Sequence, residues 1–298
     1  MTAPSATSRR LAVPPPEPFH AGGSGTPMVL LHGFTDTWRT WIPVMPELEA
    51  HHAVFAPSLP GHYGGPAIAA GGSAMIKTSL DLIERQLDER GIDKAHLVGN
   101  SLGGWAALEL AVRGRALSVV GVCPAGGWEI GGKEDRTIVR YFKAADRRLR
   151  TSAPLLPRIA RVPALRRVAF RDLMARPGNV TAESAMAFFT GAANCTIFAD
   201  AIAQAEAGEA FDDLGPIDAP VRILYGTRDR LIRWPSYYSR MRTLLPQAEF
   251  MPLHGLGHIP MWDDPATVAR RILEVSGRAD LAASEKPVGG RREATGAV

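Results

Sequence analysis

The segment Gly99-Asn100-Ser101-Leu102-Gly103 places a serine between two glycines, directly after the apolar run His96-Leu97-Val98. A serine hydroxyl becomes a useful nucleophile when a sharp strand-to-helix turn lifts it out of the sheet. Glycine suits both flanking positions because a Cβ atom would clash in so tight a turn. The pattern therefore predicts a nucleophilic Ser101, with the backbone N–H of Leu102 at a helix N-terminus where it can stabilise an oxyanion.

A serine nucleophile needs a histidine base, and the base needs a carboxylate that orients its ring. In this arrangement both follow the serine along the chain, the acid before the base. Asp229 comes just after one apolar run, and His258 comes after the next one, in a glycine-rich loop. We therefore predict a catalytic triad of Ser101, Asp229 and His258. His254, which precedes the glycine-rich loop, is the alternative base.

A further glycine, Gly33, follows the apolar run Met28–Leu31 and precedes Phe34. Glycine permits a close backbone approach, so the N–H of Phe34 is predicted to join that of Leu102 in an oxyanion hole. An ordinary turn at the end of a strand is the alternative interpretation of Gly33. The residues that we expect to contact the substrate are His32, Gly33, Asn100, Trp128 and Trp262. Further candidates for an apolar pocket wall, each of which core packing also explains, are Trp41, Trp105 and Trp234.

Apolar runs and helical patterns alternate along most of the chain, which is typical of a parallel sheet covered by helices on both faces. Ile76, Leu80, Ile83 and Leu87 recur at the spacing of an amphipathic helix. A terminal helix is predicted over Ala266–Val275. The predicted strands are Met28–Leu31, Ala53–Pro57, Ala95–Val98, Leu117–Cys123, Val221–Tyr225 and Ala248–Met251.

This alternation stops between residues 129 and 209, where the chain is rich in Ala, Leu, Met and Arg. The segment predicts several helices, interrupted near Pro154, Pro157, Pro163 and Pro177. An insertion of this length is predicted to be a cap over the active site, and an oligomerisation arm is the alternative. The predicted organisation is residues 1–25 as an irregular segment with one short strand near Phe19, residues 26–128 and 210–278 as the α/β core, residues 129–209 as the helical cap, and residues 279–298 as a flexible tail.

Composition excludes several classes of protein. The chain has 298 residues, of which 46% are hydrophobic and 21% charged, as in an ordinary globular enzyme. A net charge of +4 is too small to indicate a nucleic-acid partner, and no run approaches the roughly 20 apolar residues of a membrane span. The two cysteines, Cys123 and Cys195, lie far apart and are expected to be free thiols in a reducing, cytoplasmic compartment.

Together these motifs resemble the α/β-hydrolase fold superfamily over roughly residues 20 to 278. The segment from Leu59 to Gly64 is similar to the family's Pro-Gly-His-Gly loop, with Tyr63 inserted. Asn100 and Trp262 are similar to members that hydrolyse C–C bonds in ring-cleavage products and to bacterial esterases. Ile259 departs from the tryptophan that the C–C hydrolases carry after the base, which makes C–C hydrolysis less favoured.

The resemblance implies a serine hydrolase that cleaves a carboxylic ester of a small, apolar substrate and needs no metal or organic cofactor. C–C bond, thioester and lactone hydrolysis remain alternatives, as does a ligand receptor of the same fold, and a homo-oligomer stays open. Dehalogenases and epoxide hydrolases of this fold use an elbow aspartate where this chain has Ser101, and the cap offers only Tyr141 where epoxide hydrolases use two tyrosines. One of the many cap arginines could bind a substrate carboxylate.

Overall fold

Seven strands form one sheet in the order β1-β3-β2-β4-β5-β6-β7. All neighbours are parallel except the edge strand β1, which pairs antiparallel with β3. The structure is a computed structural model that describes residues 17–68 and 75–285. The strands are β1 (Phe19–Gly22), β2 (Pro27–Leu31), β3 (Ala53–Pro57), β4 (Ala95–Asn100), β5 (Ala116–Val122), β6 (Val221–Gly226) and β7 (Glu249–Leu253).

Helices cover the sheet and fill the long connection between β5 and β6. They are α1 (Met45–Glu49), α2 (Met75–Asp88), α3 (Leu102–Val112), α4 (Lys133–Thr151), α5 (Leu156–Arg161), α6 (Pro163–Phe170), α7 (Ala182–Ala193), α8 (Phe198–Ala207), α9 (Ser239–Leu244), α10 (Pro260–Asp263) and α11 (Pro265–Ser284). The predicted fold class, a mostly parallel α/β sheet with an inserted helical cap, is confirmed.

The central strand β4 shows why the apolar runs form this sheet. All of its residues are buried, and consecutive side chains face opposite sides. Leu97 packs in the layer that contains Trp105, and Val98 packs in the layer that contains Trp41. On the Trp105 side, the amphipathic helix α2 buries the predicted residues Leu80, Ile83 and Leu87. The side chain of Ile76 lies outside the described residues.

Each of the six predicted strands is present, within one or two residues at each end. Beyond them, β1 lies in the N-terminal segment for which one short strand near Phe19 was predicted. The terminal helix is longer than its apolar pattern indicated, because α11 continues to Ser284. The predicted flexible tail therefore begins with helix, and its residues 286–298 lie outside the described residues, as do residues 1–16.

Prolines divide the cap as predicted. Pro157 and Pro163 stand in the first turns of α5 and α6, where the missing N–H of proline leaves no helical hydrogen bond unmade. Within the described part of the chain, no single helix has the length and hydropathy of a membrane span. By length and composition alone, the bent pair α7 and α8, with 66° between its members, passes that test together.

A buried polar network joins α11 to the sheet at the edge opposite Ser101. His96 on β4 bonds to Ser118 Oγ at 2.9 Å and to Asp280 Oδ1 at 3.1 Å. His52 bonds to Ser276 Oγ at 2.8 Å and stands 5.0 Å from the His96 ring, centroid to centroid. Burial lowers the pKa of both imidazoles below the ordinary 6.5, so the folded state disfavours their protonation.

Acid is therefore expected to weaken the fold through His96. The unfolded chain takes up a proton near pH 6.5 that the folded chain resists, so this stabilisation is complete above pH 6.5 and is lost as the pH falls below it. Urea titrations at about pH 8 and pH 5 should show a larger fall in the free energy of unfolding for the wild type than for His96→Gln. Equal falls would contradict this role.

Candidate active site

Ser101 occupies a strained turn between β4 and α3. Its backbone has φ 54° and ψ −117°, a conformation that costs a non-glycine residue free energy and persists only where surrounding bonds hold it. Three N–H groups donate to its carbonyl oxygen: Gly104 at 3.0 Å, Trp105 at 3.2 Å and Ala125 at 2.9 Å. This turn, held by the three hydrogen bonds, places the serine side chain at the carboxyl edge of the sheet.

Two flanking glycines allow this turn to form. A Cβ atom on Gly99 would lie 2.0 Å from the Gly103 carbonyl oxygen, and one on Gly103 would lie 2.1 Å from the Leu31 carbonyl oxygen. Gly33 also comes close, because a Cβ atom there would lie 3.3 Å from Ser101 Cβ. The loop after β2 therefore packs directly on the serine turn.

His258 and Asp229 meet in the loops after β7 and β6. Their Nδ1 and Oδ2 atoms are 2.8 Å apart, and both residues are buried. The other carboxylate oxygen of Asp229 accepts the N–H groups of Leu231 at 2.7 Å and Ile232 at 2.8 Å. These bonds fix the carboxylate, which in turn orients the imidazole. The alternative base, His254, is exposed at the end of β7.

Two cavities meet at Ser101. The first, of about 110 Å³, is lined by Trp128 and by residues of α2, α3, α4 and α8; we call it the Trp128 cavity. The second, of about 380 Å³, is lined by His258 and by residues of α4 to α7; we call it the His258 cavity. The residues common to both linings are Phe34, Ser101, Phe142 and Leu231.

The two predicted oxyanion residues lie beside the serine. Leu102 is the first residue of α3, and both it and Phe34 line the Trp128 cavity. The Phe34 ring packs between Phe142, at 5.1 Å between centroids, and Phe198, at 5.6 Å. Cap side chains therefore cover the loop that carries the Phe34 N–H.

The predicted substrate-contacting residues differ in whether they face a cavity or bond within the protein. Trp128 and Gly33 each line a cavity. His32 is fully buried: its Nδ1 donates to the Gly33 carbonyl at 2.8 Å, and its Nε2 accepts the Leu59 N–H at 2.8 Å. Burial, with His62 nearby, holds the pKa of His32 well below its usual range. The imidazole of His32 thus ties two loops together.

Asn100 and Trp262 also bond to the protein around the site. The Asn100 amide reaches the wall of the His258 cavity, yet it donates to the carbonyls of Val122 at 2.9 Å and His258 at 3.0 Å. Asn100 thereby holds the loop that carries His258. The Trp262 ring packs in the apolar layer under that loop, and its carbonyl accepts from Asn179 at 2.9 Å.

The other tryptophans and the cap arginines are placed as follows. Trp105 lines the Trp128 cavity, Trp41 is buried in the core, and Trp234 stacks on Tyr225 at 4.0 Å between centroids. Arg148 and Arg171 line the His258 cavity, and both are largely exposed.

Asp263 is a residue whose position the sequence did not reveal. The neighbouring Asp264 caps α11 by accepting the Thr267 N–H at 3.1 Å. Asp263 is instead buried and accepts three backbone N–H groups. Two come from the cap, Ala175 at 3.0 Å and Arg176 at 2.6 Å, and one comes from Gly257 at 2.7 Å, next to His258.

Replacing Asp263 with alanine is expected to lower kcat with little change in KM. Freed from Asp263, the loop and the cap segment would shift, and a displacement of about 1 Å can cost about 10²-fold in rate. The matched control is Asp264→Ala, which removes a helix cap worth about 1 kcal/mol and a part-exposed ion pair with Arg176 at 4.0 Å, but no bond to the His258 loop. Steady-state kinetics across pH should show an altered profile for Asp263→Ala alone. A similar loss of kcat in both variants would mean that general destabilisation is the cause.

Among the described residues, two groups of side chains carry donors suited to a metal ion: His52, His96 and Asp280, and Cys123, Asp229 and His258. The donor atoms in each group lie within 4.8 Å of one another. Hydrogen bonds within the groups, His96 to Asp280 and His258 to Asp229, engage two of the three donors in each. Burial and the nearby Asp229 raise the pKa of Cys123 well above its usual range, so this thiol stays protonated. Cys195 is likewise buried, and its pKa is raised to about 12.

The chain belongs to the alpha/beta hydrolase family, which it matches over residues 28–271. It is therefore a hydrolase, and the resemblance of its motifs to that superfamily is confirmed.

Among similar proteins, the epoxide hydrolase EphH of Mycobacterium tuberculosis is 34% identical over 194 residues, covering 64% of this chain and 90% of that protein. A thermophilic esterase from Thermogutta terrifontis shares the fold with a TM-score of 0.67 and 22% identity, covering 88% of this chain and 93% of the esterase. The meta-cleavage product hydrolase CumD of Pseudomonas fluorescens IP01 has a TM-score of 0.63 and 20% identity, covering 88% of this chain and 94% of that hydrolase.

Proposed function

We propose that this hydrolase cleaves carboxylic esters through an acyl-enzyme on Ser101, with His258 as the base and Asp229 as the orienting acid. One observation carries the proposal. The strained Ser101 shares a cavity with His258, whose Nδ1 atom is held 2.8 Å from the buried carboxylate of Asp229. A purely ligand-binding protein would have no need of all three groups.

In the first half of the reaction, Ser101 Oγ attacks the ester carbonyl and His258 Nε2 takes its proton. Asp229 holds the proton on Nδ1, so that Nε2 is free to accept. The N–H groups of Phe34 and Leu102 donate to the oxyanion. The alcohol leaves with the proton from His258, and the acyl group stays on Ser101. A water molecule, deprotonated by His258, then releases the acid.

Epoxide opening fits this site less well, although one relative is named an epoxide hydrolase. A carboxylate that opens an epoxide forms an ester, which water can hydrolyse. A serine would form an ether, which has no carbonyl for water to attack. Tyr141 is, moreover, the one tyrosine among the described residues that line the two cavities. Ser101 therefore favours acyl transfer.

C–C bond hydrolysis of an anionic ring-cleavage product remains the competing function. Such a substrate would call for a buried cation, but Arg148 and Arg171 in the His258 cavity are largely exposed. The cavity wall also contains Asp146 and Asp172, whose carboxylates offset the charges of these two arginines, so the wall has no surplus positive charge for an anion. These charges favour a neutral ester. A thioester or a lactone would use the same acyl-enzyme.

A panel of p-nitrophenyl esters, run beside a vinylogous diketone acid, tests this choice. We expect kcat/KM for the esters to rise about fourfold per added acyl methylene, from roughly 0.8 kcal/mol each, and to stop at a definite length. Fast turnover of the diketone acid, with feeble hydrolysis of every neutral ester, would overturn the ester proposal in favour of C–C hydrolysis.

The same proposal includes a cytoplasmic location, which the two buried free thiols Cys123 and Cys195 support. Its substrate is a small apolar ester. Neither thiol takes part in the proposed steps, which use only the triad, the oxyanion N–H groups and water.

A further inference from the structure

We propose that the Trp128 cavity takes the acyl part of the ester and the His258 cavity takes the alcohol part. This assignment rests on the proposed function and adds the substrate class to it: esters of a compact, apolar carboxylic acid with a larger alcohol. It follows from where His258 lies and from the size and character of each cavity.

The position of His258 separates the two cavities. When the ester C–O bond breaks, the leaving oxygen must lie within hydrogen-bond reach of the protonated His258 Nε2. His258 lines the larger cavity and is not among the described residues that line the smaller one. The alcohol therefore departs into the His258 cavity, while the acyl carbon remains bonded to Ser101 Oγ.

The Trp128 cavity fits an apolar acyl chain. Its wall contains Leu80, Ile83, Trp105 and Ile202. Its polar groups are largely engaged, since the Asp135 carboxylate accepts from Trp128 Nε1 at 2.9 Å and from a backbone N–H at 2.8 Å.

His62 adds no charge to this cavity at neutral pH. Burial lowers its pKa to about 4, and its Nδ1 donates to the Pro60 carbonyl at 3.1 Å. An acyl chain that displaces water from this wall gains affinity with each methylene until the roughly 110 Å³ of space is filled. The limit on acyl length should therefore be sharp.

The His258 cavity differs from the Trp128 cavity in its size and in the side chains that line it. It is the larger of the two, at about 380 Å³. Leu165 and Val168 of α6, which are 40% and 61% exposed, mark its opening to solvent. It also holds polar groups, including Asp36, whose pKa burial raises to about 7. An alcohol part can extend through this opening, so the enzyme should tolerate alcohols of different length and polarity.

Two alanines on cap helices provide a matched test. Ala205 on α8 lines the Trp128 cavity, and Ala145 on α4 lines the His258 cavity. Both are half-buried. A leucine at either position takes up the same amount of space in one cavity and leaves the other cavity unchanged. The substrates are two series: one alcohol with acids of increasing length, and one short acid with alcohols of increasing length.

Ala205→Leu should lower kcat/KM for the longest accepted acyl chain by roughly 16- to 60-fold, two to three methylenes at about fourfold each, and should leave the alcohol series unchanged. Ala145→Leu should affect the longer alcohols and leave the acyl limit where it is. The reverse pattern, or an equal effect of each variant on both series, would overturn the assignment. Failure of the proposed function itself would look different: no ester would be turned over by the wild type, and a fluorophosphonate would not label Ser101.

Discussion

Replacing Ser101 with alanine should abolish ester turnover while leaving the protein folded. In a serine protease, removal of the nucleophile lowers kcat by about 10⁶-fold, because the triad acts as a unit. The fold should survive because backbone groups hold the turn: the three hydrogen bonds to the Ser101 carbonyl do not involve its side chain. Alanine also keeps the Cβ atom at this strained position.

Steady-state kinetics and thermal unfolding of Ser101→Ala test this expectation, with Ser239→Ala as the control. Ser239 is exposed on α9, so its loss should change neither kcat nor the melting temperature. If cleanly purified Ser101→Ala kept more than about a tenth of the wild-type kcat, the serine mechanism would be wrong, since the expected loss is about 10⁶-fold.

Replacing Asp229 with asparagine should lower kcat by about 10⁴-fold, as the same change does in a serine protease, with substrate binding preserved. The structure shows why. The Leu231 and Ile232 N–H groups hold one side-chain oxygen, so the asparagine oxygen would take that place and its NH₂ group would face His258 Nδ1. Nδ1 must then accept, which moves the imidazole proton to Nε2, where it can no longer take the Ser101 proton.

Asp263→Asn and Asp36→Asn are the matched controls for this change, because both carboxylates are buried and accept backbone N–H groups, Asp263 next to His258 and Asp36 in the wall of the His258 cavity. Neither should reach the loss expected for Asp229→Asn. A near wild-type kcat for Asp229→Asn, with activity abolished by one of the other two, would mean that the third member of the triad is assigned to the wrong carboxylate.

Local patterns account for what could be predicted from the sequence. Strands β2 to β7 are short apolar runs bounded by turn residues, and such runs are recognisable without any tertiary information. The glycines around Ser101 are equally local, since the clashes that exclude a Cβ atom arise within a few residues or with the adjacent strand. Chain order along a parallel sheet then indicated which loops carry Asp229 and His258.

Long-range contacts account for what could not be predicted. Asp263 accepts the Ala175 N–H across 88 residues of sequence. In the sequence alone, Asp263 and Asp264 are neighbours that suit the start of a helix equally well. The bond from the Asn100 amide to the His258 carbonyl, 158 residues away, is of the same kind; whether Asn100 also contacts the substrate stays a prediction. The division of the site into two cavities depends on how α4 and α8 pack over Ser101, and hydrophobic periodicity alone does not show it.

The central claim is that Ser101 is the nucleophile activated by His258, and covalent labelling tests it most directly. The wild type, treated with a fluorophosphonate and analysed by intact mass and peptide mapping, should carry one adduct, on Ser101. Ser101→Ala should carry none, and Asp229→Asn should react far more slowly than the wild type. An unmodified Ser101 in protein that still turns over esters, or an adduct on a different residue, would contradict the account.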